Sequence, residues 1–149
     1  MDATRPTVTR DVDDDAHRLV PAGYILPLRI IAALIAVLVI SQPVTAALVI
    51  SGRSAYLPVH STNGKIVLLL VPLQLIGAVL LWRPGHGSRW PMLLSAVELV
   101  LVLTQIALGS SRLIGAHIPL GVGLLATAVV FAWWALFSKD ARLRQDLDE

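Results

Sequence analysis

Two histidines, each followed by a glycine one helical turn later, are the residues here whose type and spacing could do chemistry. His60 lies eight residues after Gly52 and four before Gly64; His117 lies eight after Gly109 and four before Gly121. The skeleton Gly-x7-His-x3-Gly thus stands twice, 57 residues apart, each time where an apolar run begins. Imidazole is a common metal ligand, and two imidazoles on facing helices of a bundle suit the axial positions of haem iron. A glycine at i+4 on the same face leaves out the Cβ that would meet a porphyrin plane. The pattern also has a plainer reading. Histidines at a membrane interface contact water, and Gly64 and Gly121 would then serve close helix packing. Asn63-Gly64 is in addition a turn signal, which would leave His60 in a loop before a helix starting at Lys65. Both readings stay open at this point.

Glu98 is the second candidate. From residue 16 to residue 138 it is the only acidic side chain, the other nine being in the two tails. An ionised carboxylate is costly in hydrocarbon, so an acid within a span is by default a functional-site hypothesis. As a proton or cation carrier, Glu98 would make the chain a small proton-coupled transporter. Hydrogen-bonded to Gln74 or Gln42, it would instead hold helices together.

The elements that must position these groups follow from composition. Of 149 residues, 56% are hydrophobic and 15% charged, and mean hydropathy is +0.74, far from a soluble domain. Stretches 30–52, 66–82 and 113–138 carry no charge, and 90–108 carries only Glu98. About 20 apolar residues span the hydrocarbon core as a helix. The expected architecture is therefore all-α: a four-transmembrane-helix up-down bundle of two repeated hairpins. Its spans fall near 28–50, 60–82, 90–109 and 117–137, within one domain over 24–138. An acidic, disordered cytoplasmic tail is expected over 1–23, and a charged cytoplasmic tail over 139–149. Residues 30–40 also read as a signal-peptide core with Val44-Thr45-Ala46 as its cleavage site. A retained span is preferred, because the leader would be long and acidic and the apolar run continues past Ala46.

Net charge is only +2, and the basic residues sit at span ends, so the partner is a lipid bilayer rather than nucleic acid. A membrane-protein partner or a second copy of the chain is a further candidate partner. The absence of cysteine excludes disulfides, zinc-thiolate sites and thiol catalysis. No nucleophile–base set, phosphate loop or dinucleotide fingerprint occurs, so no enzymatic activity is assigned. Ten arginines against two lysines hint at a GC-rich bacterial genome, hence a bacterial inner membrane.

Placing both termini inside puts Arg18, Arg29, Arg83, Arg89, Lys139, Arg142 and Arg144 against Arg53, Lys65 and Arg112 outside, so N-in/C-in is favoured. Both histidines then lie near the outer face, with Arg112, Arg53 and Lys65 available to haem propionates. Positions seven apart return to nearly one helix face, so Glu98, Gln105 and Arg112 form one stripe, and His60 and Gln74 share another. Counting helical rise from the outer ends puts Gln42, Gln74, Glu98 and Thr127 in one mid-membrane layer. His60 and His117 are expected to face each other across the bundle at one depth.

The stretches V-H-S-T-N-G-K-I at 59–66 and A-H-I-P-L-G-V-G at 116–123 resemble the paired H-x3-G helix starts of four-helix bacterial integral membrane proteins. The arrangement is also similar to one half of haem A synthase, over about residues 28–137. By position, this resemblance implies haem b ligated by His60 and His117. The chain departs from the synthase in having one four-helix unit and no glutamate near the histidines on the first helix. Haem-modifying activity is accordingly not implied; electron transfer or haem handling is. The alternative is a non-catalytic, structural or accessory subunit of a membrane complex.

Overall fold

The period that dominates the apolar segments is helical, and its polarity is inverted. On the second span Ile66, Leu69, Leu73, Ile76 and Leu80 are exposed, whereas Val67, Val71, Gln74, Ala78 and Leu81 are buried. The large aliphatic stripe faces outward and the one amide faces inward, the reverse of a water-soluble helix. Such a surface needs lipid around it. The computed structural model describes residues 22–83, 85 and 87–137. Of the tails expected over 1–23 and 139–149, residues 1–21 and all of 139–149 lie outside these.

The described residues form four α-helices, α1 (Ala22–Ile50), α2 (Leu57–Trp82), α3 (Trp90–Ser110) and α4 (Ile114–Phe137), with a 3-10 turn at Ser54–Tyr56 before α2. All four are long and apolar enough to cross a membrane. The chain is an all-α, four-helix integral membrane protein. Each helix packs on two neighbours, α1 on α2 and α4, and α3 on α2 and α4. The diagonal pairs are therefore α1/α3 and α2/α4. We call the end carrying the α1–α2 and α3–α4 connections the hairpin end, and the other the turn end.

Proline sets several boundaries. Pro58 and Pro91 stand in the first turns of α2 and α3, where a missing N–H costs nothing. This starts α2 at Leu57 and makes 63–64 helical, so the turn reading of Asn63-Gly64 gives way. Asn63 spends its amide on α1 instead, donating to the Leu38 carbonyl at 3.2 Å and to Ser41 Oγ. That neighbourhood surrounds Pro43, through which α1 continues unbroken; Ser41 and Thr45 hydroxyls also bond local carbonyls there, as expected beside an intramembrane proline.

Both hairpin tips end their first helix in a Schellman motif. In the α1–α2 tip, Gly52 N–H bonds Val49 O and Arg53 N–H bonds Leu48 O, with Gly52 at φ 92°. In the α3–α4 tip, Arg112 N–H bonds Gly109 O and Leu113 N–H bonds Leu108 O, with Arg112 at φ 58°. The left-handed position is thus Gly52 in one hairpin and Arg112 in the other, not Gly52 and Gly109. The first glycines of the two Gly-x7-His-x3-Gly copies do different jobs.

Two apolar clusters fill the interior. One, nearer the turn end, gathers Leu28, Ala32, Leu81, Phe131 and Ala135; the other gathers Ile35, Val39, Val67, Val71, Val102 and Leu124. Trp90 and Trp134 stack edge-to-face, 4.8 Å between centroids, beside Phe131. The polar groups form levels between and above these clusters.

Candidate functional site

His60 and His117 meet. They come from diagonal helices, α2 and α4, and their ring centroids are 6.2 Å apart with planes at 69°. Both are half-buried. The facing arrangement expected from helical phase is therefore the arrangement found.

Each ring is oriented by a neighbour on the preceding helix. His117 Nδ1 lies 3.1 Å from the main-chain carbonyl of Gln105. A carbonyl only accepts, so Nδ1 carries the hydrogen and Nε2 keeps its lone pair. His60 Nδ1 lies 3.0 Å from Thr45 Oγ1. The Thr45 hydroxyl also lies 2.9 Å from the Gln42 carbonyl; when it donates there, His60 Nδ1 is the donor to Thr45. In that arrangement both imidazoles hold the same tautomer. A hydrogen-bonded Nδ1–H with a bare Nε2 is the state in which histidine ligates a metal.

The main chains are held in parallel fashion. Gln42 Nε2 donates to the His60 carbonyl at 3.3 Å, and Gln105 Nε2 donates to the His117 carbonyl at 2.8 Å. The glycines one turn on make room for these carboxamides. A Cβ on Gly64 would stand 3.6 Å from Gln42 Nε2, and one on Gly121 would stand 2.8 Å from Gln105 Nε2. Gly109, inside α3, lies against the His117 ring instead, with its missing Cβ 3.1 Å from Cε1. The Oε1 atoms of Gln42 and Gln105 are buried with no hydrogen-bond partner. The level therefore holds acceptors in excess: two bare imidazole nitrogens and two orphaned amide oxygens. A cleft of about 480 Å³ between α1 and α2, lined by Ser41, Thr45, Pro58, Val59, Thr62, Asn63 and Ile66, reaches Thr45 from outside.

Arg112 does not continue the stripe of Glu98 and Gln105. Its left-handed backbone follows the last turn of α3, and the residue is exposed at the hairpin end. The single layer of Gln42, Gln74, Glu98 and Thr127 is also not formed. Glu98 and Gln74 do meet, fully buried, with Gln74 Nε2 donating to Glu98 Oε2 and to Ser95 Oγ. Gln42, however, stands at the histidine level, and Thr127 bonds its own helix at the Leu124 carbonyl. The depth count fails because α2 starts at Leu57 after a 3-10 turn, so His60 already lies well below the tip. Asn63 pairing with Leu38 and Ser41 fixes that register. Gln74 then falls more than three helical turns from Gln42.

Glu98 and Gln105, seven residues apart on α3, are about 10 Å apart along the axis. Val102 lies between them, with Val67, Val71 and Leu124 completing the same apolar cluster. Glu98 Oε1 has no partner. The carboxyl group is enclosed between two apolar clusters, which suits an interhelical tie and supplies no polar route to either end.

Thr45 is the residue of this level that sequence reasoning passes over. Its signal is there in hindsight of helical geometry: Ser41 and Thr45 lie four apart on one face, in the turn that carries Pro43. Among the described residues, no group of three or more His, Cys, Asp or Glu side chains gathers at one point. Compared with family models, curated proteins and solved structures, the chain matches none.

Proposed function

We propose that this integral membrane protein holds one b-type haem between His60 and His117 and serves electron transfer or haem handling. The observation that carries the reading is the pair of imidazoles from diagonal helices with both Nε2 atoms bare. A ligated imidazole nitrogen sits about 2 Å from its metal, so one metal between two imidazoles separates the ring centroids by roughly 6 Å. The observed 6.2 Å fits that span. Two protein ligands without a third suit a metal whose remaining positions are filled by a macrocycle. When bound, haem supplies one-electron chemistry.

The residues of this chain then do the following. His60 and His117 would ligate the iron through Nε2. Thr45 and the Gln105 carbonyl hold the Nδ1–H bonds that fix both rings. Gln42 and Gln105 carboxamides occupy the space beside Gly64 and Gly121, so they would have to move for a macrocycle to sit at this level. Their already unpartnered oxygens make them the side chains that yield at least cost. Arg53, Lys65 and Arg112, at the hairpin end, are the cations available to propionates. The distribution of basic residues supports a bacterial inner membrane with both termini in the cytoplasm, and a partner protein or second copy as the electron exchange partner.

The test is absorbance of protein purified in mild detergent after haem-sufficient expression, before and after dithionite. A Soret band with sharp reduced α and β bands, lost in His60→Ala and in His117→Ala, is the expected result. A colourless preparation that is helical by circular dichroism overturns the reading and leaves a non-catalytic subunit of a membrane complex.

A further inference from the structure

At the turn end, far from the histidines, two arginines share one indole. Arg83 follows the last residue of α2, and Arg89 immediately precedes α3. Arg83 Cζ lies 4.8 Å and Arg89 Cζ 5.2 Å from the centroid of the Trp82 ring. Backbone geometry brings them there. Gly85 N–H bonds the Leu80 carbonyl at 3.1 Å, and Gly87 N–H bonds the Leu81 carbonyl at 2.9 Å. A Cβ on Gly85 would stand 2.5 Å from Leu81 O, so the chain can fold back this tightly only with glycine there.

The two guanidinium groups are exposed. Among the described residues neither meets a carboxylate, since Glu98 is the one acid there and it is fully buried. Each gains from the indole quadrupole, but their mutual repulsion is stronger beside hydrocarbon than in bulk water. An anion with several oxygens converts this repulsion into a bridge, since each guanidinium fork donates to two of them. Trp82 is half-buried at the end of a span, the depth at which tryptophan meets lipid headgroups. Leu80 and Leu93, on either side of the turn, are exposed and offer apolar surface to acyl chains.

We propose that Trp82, Arg83 and Arg89 form a headgroup site for an anionic phospholipid. Its phosphate is held between the two guanidinium forks and its acyl chains lie along the bundle. Free phosphate shares the headgroup chemistry, and the acyl contact distinguishes the two.

Native mass spectrometry tests this on the full chain, released from detergent with equal amounts of phosphatidylglycerol and phosphatidylcholine. Wild type is expected to retain phosphatidylglycerol in preference, and Arg83→Gln/Arg89→Gln to lose roughly tenfold or more of that retention. The same neutralisation at the hairpin end, Arg53→Gln/Arg112→Gln, is expected to leave it unchanged, as is millimolar inorganic phosphate. Equal retention of the two lipids, or equal loss in both double variants, overturns the proposal. Displacement by inorganic phosphate also overturns it, in favour of a free-anion site. If the glutamine pair does not fold, Arg83→Lys/Arg89→Lys keeps the charge and removes the forks. Full retention by that pair contradicts the geometry.

Discussion

In the first hairpin, α1–α2, the His60 ring leans on a side chain, the Thr45 hydroxyl. In the second, α3–α4, the His117 ring leans on main chain, the Gln105 carbonyl. The glycines differ as well. The carboxamide against Gly64 stands at ordinary contact distance, whereas the one against Gly121 would be struck by a methyl group, at 3.6 Å and 2.8 Å respectively. At the tips, Gly52 and Arg112 share the left-handed position. One sequence skeleton, written twice, is therefore supported by different atoms. A ligand oriented by a side chain can be released by one substitution, and a ligand oriented by main chain cannot.

The largest expected effect lies at Thr45. Thr45→Val keeps the shape and removes the hydroxyl partner of His60 Nδ1. Loss of such an outer partner typically weakens a metal site by about 10–100-fold, read as haem retention in detergent titrations. Thr45→Ser should restore it. Wild-type retention in Thr45→Val would mean that the hydroxyl does not orient the ring, and the contrast between hairpins would lose its basis.

A smaller contrast separates the two inner glycines. Gly121→Ala pushes the Gln105 carboxamide off the His117 carbonyl and should cost about 1–2 kcal/mol of stability in the haem-free protein. Gly64→Ala meets its neighbour at a normal distance, so helix propensity should dominate, for a gain of up to about 1 kcal/mol. Denaturation in detergent, followed by circular dichroism, decides the signs. Like signs at both positions would show that the two carboxamides are packed alike.

The tips should also respond with opposite signs. Gly52→Ala places a side chain at φ 92° and should destabilise by about 1 kcal/mol. Arg112→Gly relieves a non-glycine residue of the left-handed region and should stabilise by up to about 1 kcal/mol. Smallest of all is Glu98→Gln. The new carboxamide oxygen still accepts from Gln74, so haem retention and helicity should both stay within error. A large loss of haem in this variant would join the two polar levels that the valine cluster separates.

Much of this was legible in the chain. Uncharged runs bounded the spans, and the inward stripe of Glu98 and Gln105 followed from a spacing of seven. The meeting of His60 and His117 followed from the same arithmetic. What failed were statements about depth and about Arg112. Helical rise gives distances along one helix, but the offset between helices depends on where each begins. Pro58 and the 3-10 turn moved that start by several residues. Arg112 left the stripe of Glu98 and Gln105 because residue identity does not report φ, and it took the left-handed site. Thr45 escaped notice because its partner lies 15 residues away on another helix.

The central claim is that two imidazoles share one ligand, and the stoichiometry of haem per chain measures it most directly. Pyridine haemochrome assay of wild type, His60→Ala, His117→Ala and the double variant, each checked for helicity, gives the numbers. The expected result is one haem per chain in wild type and none in any of the three variants. Half-loss in each single variant, or retention in either one, would contradict a shared ligand.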